Sequence, residues 1–267
     1  MAKRQPEGGQ DPVVQRIRLR YAKRGPMRFT SHRDFARAFE RALLRANVPI
    51  AYSQGFTPHP KVSYASAAPT GVASEAEYLE IGLRAVVDPG ELRAALDAAL
   101  SPGLDVLEAV QSPLNGGGSL ADRIDASAWR IELPGIEPAG AQAAVQAFLD
   151  APEVLVERLT KQGKRVFDTR AAVVRLAVAE VVTSPGDTPS EVTDAPCAIL
   201  DLVVRQGTPT VRPDDVLSGL RVVADLEPPV PPRATRLAQG VLTAQGEFVD
   251  PLDADRPAVA VGASSLV

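Results

Sequence analysis

The chain has 267 residues, is 45% apolar, and carries 29 Lys/Arg against 33 Asp/Glu for a net charge of −4. That length allows one large domain or two of about 100–130 residues, and no apolar run approaches the roughly 20 residues that cross a bilayer. The single cysteine, Cys197, excludes an intramolecular disulfide framework and a cysteine-ligated cluster, and with only His32 and His59 beside it neither a metal nor another cofactor is expected. The start, MAKRQPEGGQDP, has basic residues with no apolar stretch behind them, so a secretory signal is not expected and a cytoplasmic location is.

The net charge conceals an asymmetry. Residues 1–61 hold 13 Lys/Arg and 4 Asp/Glu, a balance of +9; residues 62–267 hold 16 and 29, a balance of −13. Both histidines fall in the basic segment. Such a block points to a polyanion partner, RNA above all. The alternative is that the two parts of the chain neutralise each other across an internal interface.

Residues 1–12 read as a disordered tail. Over 13–21, Ile17, Leu19 and Tyr21 alternate with Arg16, Arg18 and Arg20, the pattern of a half-buried strand. Residues 32–47 read as a helix: Ser31 and Asp34 have capping-box spacing, and Phe35, Ala38, Phe39, Ala42, Leu43 and Ala46 form its apolar stripe. Arg33, Arg37, Arg41 and Arg45 lie opposite, and Asn47 with Pro49 ends the element. A strand-like start, a Gly/Pro-rich loop and a strand-like end occupy 50–65. Residues 77–84 alternate again, Asp88-Pro89 opens a helix over 89–100, and 104–110 is a short strand.

Residues 112–127 look like a linker. A strand at 129–133 and a helix at 139–150 follow, with strands at 153–160, 171–182 and 197–205, a short helix from Arg212-Pro213-Asp214, and a last strand at 220–226. Residues 183–196 read as a surface loop and 241–267 as a flexible tail. The order β-α-β-β-α-β of the first part is thus read again, diverged, in the second. The expected class is α+β, with two tandem ferredoxin-like halves, 13–111 and 128–240. Each would have an antiparallel sheet with helices on one face and the other face available.

Three sets of residues are candidates for RNA or anion binding. Arg16, Arg18 and Arg20 would lie mid-sheet on the uncovered face, where guanidinium forks suit phosphate; cross-strand pairing, with Glu80 for one, is the structural alternative. Tyr52, Ser53, Phe56, His59 and Lys61 sit in a loop stiffened by Pro58 and Pro60, and Tyr52 and Phe56 suit base stacking. Lys161, Lys164 and Arg165 surround Gly163 in a basic hairpin. If the 50–60 loop folds back across the sheet edge, His32, Arg33, Ser53, His59 and Lys61 would share one shallow pocket, with His32 and His59 as candidate acid and base. No phosphate-binding P-loop, G-x-S-x-G, G-x-G-x-x-G or H-E-x-x-H motif is present.

The runs Phe29-Thr30-Ser31-His32-Arg33-Asp34, Phe39–Ala46 and Tyr52–Lys61, then Gly71 and Glu77-Tyr78, resemble the bacterial radical-SAM-linked protein family, a domain of unknown function encoded beside a radical SAM protein or fused to its C-terminus. Arg33 stands where that family usually has Leu, and Thr57 where it often has Asn. The resemblance implies a radical SAM protein as partner and supplies no reaction. The expectation is an RNA-binding accessory protein acting on tRNA or rRNA. A histidine-dependent RNA-processing enzyme and a protein-interaction scaffold are the alternatives.

Overall fold

The computed structural model describes residues 11–54, 56–160, 163–179 and 196–257. The first strand, β1 (Gln15–Lys23), leads through a 3-10 turn at Gly25–Phe29 into α1 (His32–Arg45). Ser31 caps α1 by accepting from the Asp34 N–H at 3.2 Å, while Phe35, Phe39, Ala42 and Leu43 bury its apolar stripe. Asn47, with a left-handed φ of 50°, ends the run. Then come β2 (Val62–Ala65), β3 (Ala73–Leu83), α2 (Pro89–Ala99) and β4 (Leu104–Ser112). The second half supplies β5 (Ala126–Pro134), α3 (Pro138–Asp150), β6 (Leu155–Thr160), β7 (Gly163–Asp168), β8 (Val173–Val178), β9 (Cys197–Arg205), α4 (Pro213–Ala224), β10 (Arg233–Leu242) and β11 (Phe248–Val249).

Nine of these strands form one mixed sheet in the order β4-β1-β3-β10-β5-β9-β8, with β2 also on β3 and β11 on β10. The expectation of antiparallel sheets only is therefore corrected: β3 and β10 run parallel, joined at Thr235↔Ala73 and Arg236↔Ser74. β1 occupies one edge of β3, so β2 and β10 share the other edge at different heights. Within the first half the strand order is β4-β1-β3-β2, and within the second β10-β5-β9-β8. β6 and β7 leave the sheet and pair only with each other, so the strand read at 153–160 belongs to a separate hairpin.

Two apolar clusters fill the helix-bearing side. One joins Ile17, Leu19, Tyr21, Leu79 and Ile81 to α1 and α2; the other joins Trp129, Ile131, Leu200 and Leu202 to α3 and α4. Glu77, on the first cluster's side of β3, pairs with Arg236, whose guanidinium lies over the Trp129 ring. All four helices therefore cover the same face.

The opposite face does not stay open in the first half. Tyr78, Ala76, Val110 and Ala65 are covered by Leu120 and Ile124 from the segment read as a linker, and by Leu252 from the segment read as a tail. These apolar residues sit among Gly, Asp and Pro, and their composition hid them. Likewise 220–226 is no strand: α4 runs to Ala224, and Val216 and Leu220 bury at helical spacing. A Cβ at Gly219 would meet Phe148 at 2.7 Å, which is why the two helices approach closely there. The last long strand is β10. The loop read at 183–196 lies outside the described residues except for Pro196, as does the tail read at 1–12 except for Asp11 and Pro12.

Leu252 is fully buried. Leu252→Ala is expected to cost about 2–5 kcal/mol in denaturant unfolding, the usual range for a truncated core leucine. A frayed tail would lose almost nothing.

Candidate nucleic-acid interface

Of the three β1 arginines, Arg18 is the most constrained. Its side chain is 1% exposed, its Nε donates to Glu80 Oε2 at 2.8 Å, and NH1 donates to Asp255 Oδ2 at 2.8 Å. NH2 donates to the carbonyls of Gly117 and Gly118 at 3.4 and 2.5 Å. Asp255, itself 1% exposed, also accepts from Arg123 NH1 at 2.6 Å. Arg16 NH1 donates to the other oxygen of Glu80 at 2.8 Å. Arg20 lies 3.9 Å from Glu108 and 3.7 Å from Asp250, and Arg256 holds Glu108 through two bonds of 2.6 and 2.8 Å. Tyr78 donates to Asp250 at 3.2 Å, and burial followed by that carboxylate pushes its phenol up.

The reading of Arg18 as a phosphate ligand on an available sheet face is thereby corrected. Its guanidinium is spent inside the molecule. Glu80, the anticipated partner, is one of two carboxylates on it; Asp255 and Arg123 escaped the sequence reading because they lie in segments of loop-like composition. The only signal was arithmetic: a run of strand arginines demands carboxylates from elsewhere.

A second buried group lies on the helix side, where the halves meet. Arg236 bonds Glu77, Glu77 Oε2 accepts from the Ala68 N–H at 3.0 Å, and the Lys23 Nζ donates to the carbonyls of Ala68 and Pro69 at 3.4 and 3.1 Å. Burial, more than any neighbouring charge, lowers the Lys23 amine from its ordinary value and pushes the Tyr21 phenol well up.

The arginines of α1 are placed differently. Arg33, Arg37, Arg41 and Arg45 are exposed. Arg37 reaches only Asp34, at 3.9 Å, and Arg45 bonds the Ala99 carbonyl. Among the described residues neither Arg33 nor Arg41 pairs with a carboxylate. At 1.5 Å rise per residue these four charges span about 18 Å of one helix face. In the 3-10 turn that precedes α1, Arg28 covers the ring of Phe29, which is 60% exposed.

The histidines do not share a pocket. His32 packs edge-on against Tyr64 with ring centroids 4.8 Å apart, and Tyr64 pairs with Leu79 near the middle of β3. His59 belongs to a loop closed on itself: Ser53 N–H donates to the His59 carbonyl at 2.8 Å and His59 N–H donates to Ser53 Oγ at 3.0 Å. That loop is tied to the other end of β3, through Ala51 to Gly82 and the Ile50↔Leu83 bridge. His59 and Tyr64 lie five residues apart, with a tight turn between them in which Val62 N–H donates to the Pro60 carbonyl at 2.9 Å. Arg33 follows His32 on α1, whereas Lys61 stands beside Arg16 at the loop's end of the sheet. Tyr52 bridges Pro60 and is half-buried, whereas Phe56 is 75% exposed. Gly55 lies outside the described residues, as does Lys161. Of the hairpin residues, Lys164 bonds Glu157 at 2.7 Å, and Arg165 is exposed opposite Arg158.

Among the described residues no cluster of three or more His, Cys, Asp or Glu could hold a metal ion, and no helix is long and apolar enough to cross a membrane. The profile of a family described as an uncharacterized protein conserved in bacteria (DUF2344) matches residues 16–213, and the chain belongs to that family. No curated protein matches it.

Removing one member of a buried, shared ion pair orphans the others, so Asp255→Asn is expected to cost about 3–5 kcal/mol. Arg33→Gln should stay within about 0.5 kcal/mol. Chemical denaturation of both variants separates the cations that hold the fold from those that do not. Acid titration adds a sign. The Arg256 hydrogen bonds hold the Glu108 carboxyl below its ordinary 4.5. In the window below that value the unfolded chain binds the proton first, so stability falls as pH falls through the folded pKa. Unfolding curves of Glu108→Gln should be flatter there than those of the wild type.

Proposed function

We propose that the protein binds RNA through the solvent face of α1, in the cytoplasm, as an accessory to a radical SAM protein. We also read the strand orders β4-β1-β3-β2 and β10-β5-β9-β8 as two ferredoxin-like halves fused edge to edge through β3 and β10. The observation that carries the RNA reading is the division of the arginines. Those of β1 are neutralised by carboxylates of residues 62–267, whereas among the described residues Arg33 and Arg41 stand exposed with no carboxylate on them. Exposed guanidiniums at helical spacing fit a phosphate backbone, and Phe29, in the turn before the helix, offers a ring for stacking. The radical SAM partner is supported by the motif resemblance over 29–78, and the choice of tRNA or rRNA rests on the same accessory role. No observation favours a histidine acid–base pair, since His32 and His59 occupy different ends of the sheet edge.

Fluorescence anisotropy with a labelled single-stranded RNA at several salt concentrations tests the reading. With three or four phosphates engaged, the log–log slope should be about −2 to −3, at roughly −0.7 per contact. Arg33→Gln, Arg37→Gln and Arg41→Gln together should weaken binding to every sequence and flatten that slope. Arg130→Gln, on the opposite face of the sheet, should change neither. Wild-type affinity and slope in the triple variant would refute the assignment.

A further inference from the structure

Among the described residues the hairpin of β6 and β7 pairs with no other strand, so its edges carry backbone groups that no ladder uses. The register says which groups these are. Thr169 N–H donates to the Val154 carbonyl at 2.9 Å. Bonded and non-bonded positions alternate along an antiparallel pair, so Val156–Phe167, Arg158–Arg165 and Thr160–Gly163 are the bonded pairs. The N–H and carbonyl groups of Lys164, Val166 and Asp168 therefore point away from β6.

Nothing among the described residues bonds those groups. Gly163 to Val166 are exposed, Val166 by 59%. The β4 edge of the large sheet is treated differently. There α2 meets it, with Asp97 accepting from Val106 N–H at 2.8 Å and Arg93 donating to the Val106 carbonyl at 3.3 Å.

The residues of β7 complement themselves in one antiparallel register. With Val166 on a two-fold axis, Lys164 stands opposite Asp168 of the partner subunit, and Asp168 opposite the partner's Lys164. Every outward residue then meets an outward residue, and each pair exchanges both N–H···O bonds. Opposite charges facing each other across strands stabilise, and like charges destabilise. An axis at Arg165 would set arginine against arginine, and an axis at Lys164 lysine against lysine. An axis at Phe167 would carry Lys164 past the end of the partner's strand. The outward residues of β6 are Leu155, Glu157 and Leu159, and their matching register sets Glu157 against Glu157. The Asp168 carboxylate is held in place by the N–H groups of Val154, Arg170 and Ala171, at 2.9, 2.8 and 3.1 Å.

We propose that β7 binds β7 of a second copy of this chain, antiparallel and centred on Val166, so that two hairpins form one four-stranded sheet. So short a ladder makes a weak dimer, at the small end of protein interfaces. The surface is separate from α1 and does not rest on the RNA reading.

The test is sedimentation equilibrium of the full chain from about 1 μM to about 1 mM, where the mass should rise from one chain towards two with a Kd of about 10–500 μM. Val166→Pro removes an outward N–H and no bond within the hairpin, and proline is tolerated on an edge whose N–H faces solvent. It should weaken the dimer at least about tenfold with the melting temperature kept. Lys164→Glu sets like charges opposite Asp168 of the partner subunit and should weaken the dimer by a similar factor; if the proline variant melts early, this second variant decides. A short bismaleimide reads the register in a Cys197→Ser background. Val166→Cys should be linked to its copy and Leu159→Cys should not, since three strand spacings, about 14 Å, separate the two copies of position 159 before any offset along the strands. The proposal is overturned if the chain keeps the mass of one copy at about 1 mM, if Lys164→Glu dimerises as the wild type does, if a stably folded Val166→Pro does so, or if Leu159→Cys is linked as readily as Val166→Cys.

Discussion

The pairing of Arg18 with Asp255 connects positions 237 residues apart and sets how the remainder of the chain can close. A guanidinium placed mid-sheet on a strand whose other side is a full apolar core cannot reach water once anything covers it. It must then meet carboxylates and carbonyls, and burying it unpaired would cost several kcal/mol. Here Glu80 comes from the neighbouring strand, the carbonyls of Gly117 and Gly118 from the inter-half segment, and Asp255 from the C-terminal segment. One side chain thus fixes three separate stretches of backbone. Leu120, Ile124 and Leu252 can bury beside Tyr78 because those stretches are already held in place.

The helix side repeats the arrangement at the seam. β3 and β10 share only two residue pairs, too little ladder to hold two halves in register by backbone bonds alone. Arg236, from β10, supplies the remainder. It bonds Glu77 of β3 and covers Trp129 of β5, so the ion pair and the ring contact bind both halves to one residue. Gln239, three residues further on and past a bulge in β10, donates to the Ala76 carbonyl at 2.5 Å. The sheet is continuous because polar side chains on its helix side extend a short parallel contact.

What the sequence disclosed and what it withheld follow from the range of the interactions. α1 was legible because its signals are local: Ser31 and Asp34 three apart, apolar residues at helical spacing, Asn47 and Pro49 at the end. β1 was legible from strict alternation. Most other elements could be read in the same way, but β10 was not, the strand at 153–160 pairs outside the sheet, and 220–226, read as a strand, is helix where it packs on α3. The covering of the sheet face was not legible. Leu252 stands in a Pro-Leu-Asp-Ala-Asp run that looks like a tail, and nothing near it in sequence reports that Arg18 and Arg123 require Asp255. Nor was the separation of His32 from His59 legible, since it depends on His32 packing against Tyr64 of β2 while the loop that carries His59 closes on Ser53.

The charge asymmetry of the chain therefore has two meanings at once. Read as a sum, +9 against −13 suggested either a polyanion partner or internal neutralisation. The structure divides the basic block by element. Strand arginines alternate with core residues, so they project onto a face that Asp250, Asp255, Glu80 and Glu108 cover. Helix arginines lie a half-turn from the core stripe and are exposed, and only Arg45 among them reaches another element, the end of α2, among the described residues. Period decides the outcome: the two-residue repeat of β1 commits its cations to the sheet, where a second layer can form. The 3.6-residue repeat of α1 leaves its cations on the outermost surface of the molecule. A net basic segment leaves its exposed arginines mainly on its helical part, and the arginines that a linear motif search would group together have different surroundings.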